Sequence, residues 1–197
     1  MNREQWLSEC VQRLRPDFEK AGYPLPEKIR ASCSWPSKGG LARKARRLGE
    51  AWSATCSESE HCEVFISPVL KDPVAVTAVL VHELVHCVVG VEHGHRGKFP
   101  KLARAMGLEG KMTATVAGET LKVRLQEVTD TIGPYPHAKL DKSSTPKSQV
   151  CRLLKVACVE CGCICRMSRK AIDKVGCPTC ACGGQMAEDG VEEPTGV

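Results

Sequence analysis

Aromatic side chains are few. Three Trp, two Tyr and three Phe in 197 residues leave little with which to stack nucleic-acid bases, Trp35 and Trp52 being the candidates nearest a basic run. Long apolar runs are missing too: the richest stretch, Val74 to Val89, is broken by Thr77, His82, Glu83 and His86, too polar at its centre and too short for a membrane span. The start, Met1-Asn2-Arg3-Glu4-Gln5, is charged and holds no apolar signal segment. Cysteine is plentiful, but the count of 13 is odd and eight lie between Cys151 and Cys182, which argues against a secreted disulfide framework and for metal. No internal repeat is visible. These absences predict a cytoplasmic protein with no membrane partner, of a length that holds one cored domain plus a small metal-stapled appendage.

The richest apolar stretch carries His82-Glu83-Leu84-Val85-His86, an HExxH motif. Asp72 is placed to cap a helix, Pro73 suits its first position, and Gly90 suits its C-terminal cap. Residues four apart share a helix face, so both imidazoles reach one metal ion while Glu83 stands beside it. An imidazole pair and a carboxylate buried without partners cost several kcal/mol on the order of the usual desolvation penalties, and a metal removes much of that cost. A catalytic zinc keeps three protein ligands and one open position. The third ligand is expected just past the helix, where Gly90 and Gly94 let the chain turn back. His95 and His93 both qualify by chemistry and Glu92 less so. The metzincin pattern is not matched, since Val89 stands at its Gly and Glu92 at its third His.

The apolar HELVH helix, the short loop with Gly94-His95, Phe99 four residues after that His, and the basic segment Lys101 to Met106 closed by Gly107 together resemble the SprT-like zinc metallopeptidases. That family includes the Spartan-type proteases that degrade proteins crosslinked to DNA, and shorter bacterial and phage members. The resemblance covers residues 1 to 110 in layout, with its specific match confined to 82 to 99. It implies a zincin-like α+β domain, a small sheet packed on helices with the HExxH helix at its centre. It also implies that His82, His86 and His95 bind a catalytic zinc with Glu83 as general base. Arg96 stands where the family commonly has Gly, which keeps His93 open as the alternative ligand. The alternating Cys62 to Ser67 segment, ended by Pro68, reads as a strand whose edge would receive an extended substrate, with Ile29 to Trp35 and Ala51 to Thr55 as partner strands. Trp6, Leu7, Cys10, Val11, Leu14 and Phe18 have helical spacing and predict a helix from Arg3 to Lys20. Residues 111 to 131 fit either strand or helix.

A second metal site is written in the cysteines. Cys158-Val159-Glu160-Cys161-Gly162 is a knuckle, and Cys177-Pro178-Thr179-Cys180 follows Cys161 after fifteen residues, the spacing of a zinc ribbon. Cys158, Cys161, Cys177 and Cys180 are the expected ligands of a structural zinc. Cys182 is the alternative to Cys177, because the glycines that usually follow a knuckle come at Gly183 and Gly184. Cys163 and Cys165 read as spare thiols, and Cys10, Cys33, Cys56, Cys62 and Cys87 as small buried hydrophobes.

The domain expectation is a SprT-like metallopeptidase domain over 1–132, a turn-rich linker over 133–149, a ribbon over 150–185 and a disordered acidic tail over 186–197. Net charge is +5, with basic clusters at Lys38, Arg43, Lys44, Arg46 and Arg47, at Lys98, Lys101 and Arg104, and at Arg166, Arg169 and Lys170. The expected function is zinc-dependent peptide hydrolysis on DNA-associated or DNA-crosslinked proteins, with DNA as a partner through the basic patches and the ribbon. The alternative is a nucleic-acid-binding or transcription-related module whose HExxH zinc is structural or idle. His93, Tyr135 and His137 are the candidates to stabilise a tetrahedral oxyanion.

Overall fold

Asn2 starts the first helix. Its side chain accepts the Gln5 backbone N–H at 2.8 Å while the Gln5 side chain accepts the Asn2 N–H at 2.8 Å, a reciprocal cap that opens α1 (Arg3–Lys20). The six apolar residues at helical spacing on α1 are all buried. The computed structural model describes residues 1–42, 44–141 and 153–188, and the chain divides into two units, Met1–Ser144 and Thr145–Val197. Both are built from small sheets and helices, so the fold is α+β, with five α-helices among the described residues. No helix among those residues is long and apolar enough to cross a membrane.

In the first unit, β1 (Ile29–Cys33), β2 (Gly49–Trp52) and β3 (Cys62–Ile66) form a sheet in the order β1-β3-β2, with β1 parallel and β2 antiparallel to β3. Cys62, Val64 and Ile66 point to the core and alternate with half-buried Glu63 and Phe65. The strand next to the HExxH helix is therefore central and paired on both sides. Its expected free edge does not exist, and the outer edges of this sheet belong to β1 and β2.

The helix α2 (Pro73–Val89) runs from Asp72, whose side chain accepts the Ala75 N–H at 2.8 Å, to Gly90 at φ 95°, a conformation that favours glycine. Val76, Leu80, Val81, Leu84, Val85 and Val89 are buried in a core shared with α1, β3 and α4 (Glu119–Ile132). Between α2 and α4 lie α3 (Phe99–Ala105) and a hairpin of β4 (Leu108–Lys111) and β5 (Ala114–Ala117). The ambiguous 111–131 stretch thus holds both element types, a strand and then a helix that buries Leu121, Leu125 and Val128 along one stripe. Arg124 of α4 binds Asp17 of α1 through Nε at 3.1 Å and a terminal nitrogen at 3.0 Å.

Residues 133–141, marked by composition as the start of a linker, are instead a strap on the first unit. Tyr135 is 6% exposed with its ring 4.9 Å from that of Trp6, the Trp6 indole donates to the Gly133 carbonyl at 2.9 Å, and the Leu140 N–H donates to the Pro68 carbonyl at 2.8 Å. A turn-rich composition predicts irregular backbone. It does not predict that an aromatic within it finds a pocket. The rest of the linker, 142–149, lies outside the described residues.

The second unit is a three-stranded antiparallel sheet, β7 (Ile164–Ser168), β6 (Leu153–Cys158) and β8 (Met186–Glu188), with α5 (Arg169–Val175) against it. Among the described residues its core is Val156, Cys158, Ile172 and Met186 with a few half-buried neighbours, too little to hold a fold without a staple. Residues 186–188 correct the expected tail: Met186 is buried, and Glu188 makes a two-pronged pair with Arg169 at 2.7 Å. The rest of that tail and Cys151 lie outside the described residues.

Candidate metal centres

The periodicity of α2 puts His82 and His86 on one face. A 3-10 turn over Val91–His93 and Gly94 at φ 53° then reverse the chain, so that His95 returns to the same point. The Nε2 atom of His95 lies 3.1 Å from that of His82 and 3.3 Å from that of His86. Three nitrogens on a tetrahedral ion with bonds of ~2.0–2.1 Å stand about 3.3–3.4 Å apart, so the donor set fits such an ion. Phe99 packs under all three rings, with centroids 5.0, 4.4 and 4.9 Å from His82, His86 and His95. That contact explains the spacing of Phe99 from His95: the phenyl ring is the floor of the site. His93 is not in the group; it is half exposed beside Glu92 at 3.6 Å.

Burial, followed by the charge of the neighbouring rings, pushes the His82 pKa down to about 4 and the His86 pKa to about 3; His95 is lowered as well, chiefly by burial. All three imidazoles are neutral near pH 7 and carry the lone pairs that metal binding requires. His82 also holds Thr115 of β5, Nδ1 to Oγ1, at 2.8 Å. Glu83 is 6% exposed and its pKa is pushed up to about 8, chiefly by burial and against the opposing influence of the Arg47 charge and the Ala51 N–H.

The wall beside Glu83 escapes sequence reasoning. It is β2, on which Gly49 leaves room for the Glu83 carboxylate: a Cβ there would lie 2.5 Å from Glu83 Oε1. Glu50 is buried and accepts from Ser37 N at 2.7 Å, Ser37 Oγ at 2.8 Å, Arg47 at 2.8 Å and Trp52 Nε1 at 3.2 Å. Burial raises its pKa, but these donors and the Arg47 charge outweigh it, and the carboxyl titrates below its ordinary value. Arg47 is held here, and its charge also acts on Glu83, His86 and His95. The strand expected over Ala51 to Thr55 overlaps this wall only at Ala51 and Trp52, and the basic run contains Arg47. Of the oxyanion candidates, His137 is taken up by the Pro68 carbonyl at 2.9 Å and by Arg3 at 3.4 Å, and Tyr135 is buried against Trp6.

In the second unit, the sulfurs of Cys158, Cys161, Cys180 and Cys182 all lie within 4.8 Å of one another, with Cys158–Cys182 and Cys161–Cys180 at 3.6 Å and Cys161–Cys182 at 3.5 Å. Four thiolates on a tetrahedral zinc stand about 3.8 Å apart for bonds of ~2.3 Å. Cys182 takes the place expected for Cys177. The reason is the turn that follows it: Gly183 has φ 90°, Cys180 N–H donates to the Gly184 carbonyl at 2.8 Å, and a Cβ at Gly184 would lie 2.7 Å from Cys158 Sγ. Backbone N–H groups aim at the sulfurs, that of Cys161 lowering the Cys158 pKa and that of Cys182 bringing Cys180 to about 7. Cys177 packs against the small apolar core instead, Cys163 is exposed and Cys165 half buried.

Both groups could hold metal ions, and their donor sets are compatible with zinc. No family model matches the chain, and no curated protein or solved structure shows significant similarity to it.

Proposed function

We propose that this protein is a zinc-dependent metallopeptidase of SprT-like type with a zinc-stapled ribbon. The observation that carries the reading is the convergence of three imidazole Nε2 atoms on one point, with the buried Glu83 carboxylate on the same helix. His82, His86 and His95 would hold a catalytic zinc, and Cys158, Cys161, Cys180 and Cys182 a structural one. A zinc ion bound by the imidazoles supplies Lewis-acid polarisation of a carbonyl and a more acidic water. Beside a bound dication Glu83 would ionise despite its burial, and its carboxylate would then accept the proton of the attacking water and return it to the leaving amine. Gly49 gives the Glu83 carboxylate its space. The Arg47 charge bears on the same site and favours the negative charge that develops on the scissile carbonyl oxygen. The outer edge of β2 is the natural place for an extended peptide to pair.

For substrates we favour proteins held on DNA. Lys38, Lys44, Lys98, Lys101 and Arg104 are exposed on the first unit and Arg166 and Lys170 on the second, a distribution suited to phosphate contacts. Arg43 lies outside the described residues, and Arg169 is engaged by Glu188.

Glu83→Gln tests the reaction. The variant should retain its zinc and lose cleavage of a DNA-bound protein; cleavage at the parental rate would leave the alternative, a binding module with an idle site. Affinity for DNA should fall steeply with salt, and absence of binding at low salt would remove DNA from the proposal.

A further inference from the structure

Each imidazole that binds a metal through Nε2 carries its proton on Nδ1, and whatever accepts that proton fixes the plane of the ring. Among the described residues, His86 Nδ1 is buried with no hydrogen-bond partner. His82 differs: its Nδ1 lies 2.8 Å from Thr115 Oγ1. We propose that Thr115 is a positioning residue of the three-histidine site, its hydroxyl oxygen accepting a hydrogen bond from His82 Nδ1–H and so directing the Nε2 lone pair at the metal.

The placement follows from strand parity. Along β5, Ala114 and Val116 are exposed, while Thr115 is half buried and Ala117 buried, so Thr115 faces inward toward α2. Its cross-strand partner on β4 is Gly110, which sets no side chain beside the hydroxyl. The base of the hairpin is fixed by buried Leu108 and Ala117, which are paired in register, and by the Gly118 N–H donating to the Gly107 carbonyl at 2.9 Å. Threonine is branched at Cβ and so holds few χ1 rotamers, which keeps the hydroxyl where the ring needs it. A hairpin that sequence periodicity left undefined therefore carries the group that orients a metal ligand 33 residues away.

The inference rests on reading His82, His86 and His95 as a metal site, but not on peptidase activity. The test is the zinc affinity of the full chain, measured by competition with a chromophoric chelator, with the cysteine-bound ion as an internal reference. Thr115→Val should weaken the three-histidine site by about 10- to 100-fold, and Thr115→Ser should recover most of that loss. Affinity within twofold of the parent in Thr115→Val overturns the proposal. An equal loss in Thr115→Val and Thr115→Ser also overturns it, because packing and not the hydroxyl would then matter. Should Thr115→Val fail to fold, nitrogen NMR of the His82 ring in Thr115→Ala, recorded with the three-histidine site stripped of metal, replaces it: loss of the single Nδ1–H tautomer supports the proposal, and its persistence refutes it. His82→Ala separates the two levels, since unchanged zinc in that variant would sink the metal-site reading itself.

Discussion

Glu83 occupies the space that a side chain on Gly49 would need. A Cβ at residue 49 would lie 2.5 Å from Glu83 Oε1, 2.8 Å from Glu83 Cγ and 2.7 Å from Val79 Cγ1. The approach of β2 to α2 is thus set by a missing side chain on the strand and a carboxylate on the helix.

Gly49→Ala should displace Glu83 while leaving the three imidazoles in place. Overpacking of this kind costs about 1–3 kcal/mol of stability. Peptide cleavage should fall by roughly a hundredfold, the usual effect of a catalytic group misplaced by an ångström. Cleavage assays beside metal analysis check this: two zinc ions per chain with lost activity is the expected pair, and parental activity would contradict it.

Cys182→Ser and Cys177→Ser should behave differently. Only Cys182 lies in the four-sulfur group, so its loss should reduce zinc from two ions to one and unfold the second unit, whose apolar core is small. Cys177→Ser should keep both ions. Metal content and far-ultraviolet circular dichroism of the two variants decide, and the reverse pattern would restore Cys177 as the ligand.

Glu50 makes stability depend on acid pH. Its pKa is lowered in the folded chain, so its contribution is present above the ordinary glutamate value and is lost as pH falls through the lower folded value. Near pH 7 the parent should exceed Glu50→Gln by about 1–3 kcal/mol, since the carboxylate accepts charge-assisted bonds that the amide replaces poorly. The gap should close below about pH 4, the ordinary carboxyl range. Urea titrations at several pH values measure it, and a gap that stays constant into strong acid would refute the assignment.

The strap over residues 133–141 should be worth several kcal/mol to the first unit. Tyr135→Ala removes a buried ring that packs at a tilt against Trp6, and about 3–5 kcal/mol is the usual cost for a large aromatic. Chain shortened to residue 132 should unfold at lower denaturant than chain ending at 141. Equal midpoints would return the segment to the status of a linker.

What could be read without a fold was local. Asp72, Pro73 and Gly90 bound α2, the spacing of Trp6 to Phe18 marks α1, and the four-residue step from His82 to His86 follows from helix geometry, because backbone torsion within a few residues decides each of these. The five alternating residues of β3 were legible for the same reason, but not that it lies between β1 and β2, since strand order depends on how the intervening chain crosses over.

Ambiguities that turn on distance in space needed the tertiary structure. His95 and His93 have equal chemistry and nearly equal reach, and the turn at Gly94 brings in one and leaves the other beside Glu92. Cys177 and Cys182 differ through the turn at Gly183 and Gly184, where a side chain would strike Cys158. Thr115, Gly49 and Arg47 carry no motif at all: they matter because a hairpin and an edge strand pack against α2. Amino-acid order by itself determined which residues could bind metal. Long-range packing, which brings segments over 30 residues apart within 3 Å, decided which ones meet and what holds them.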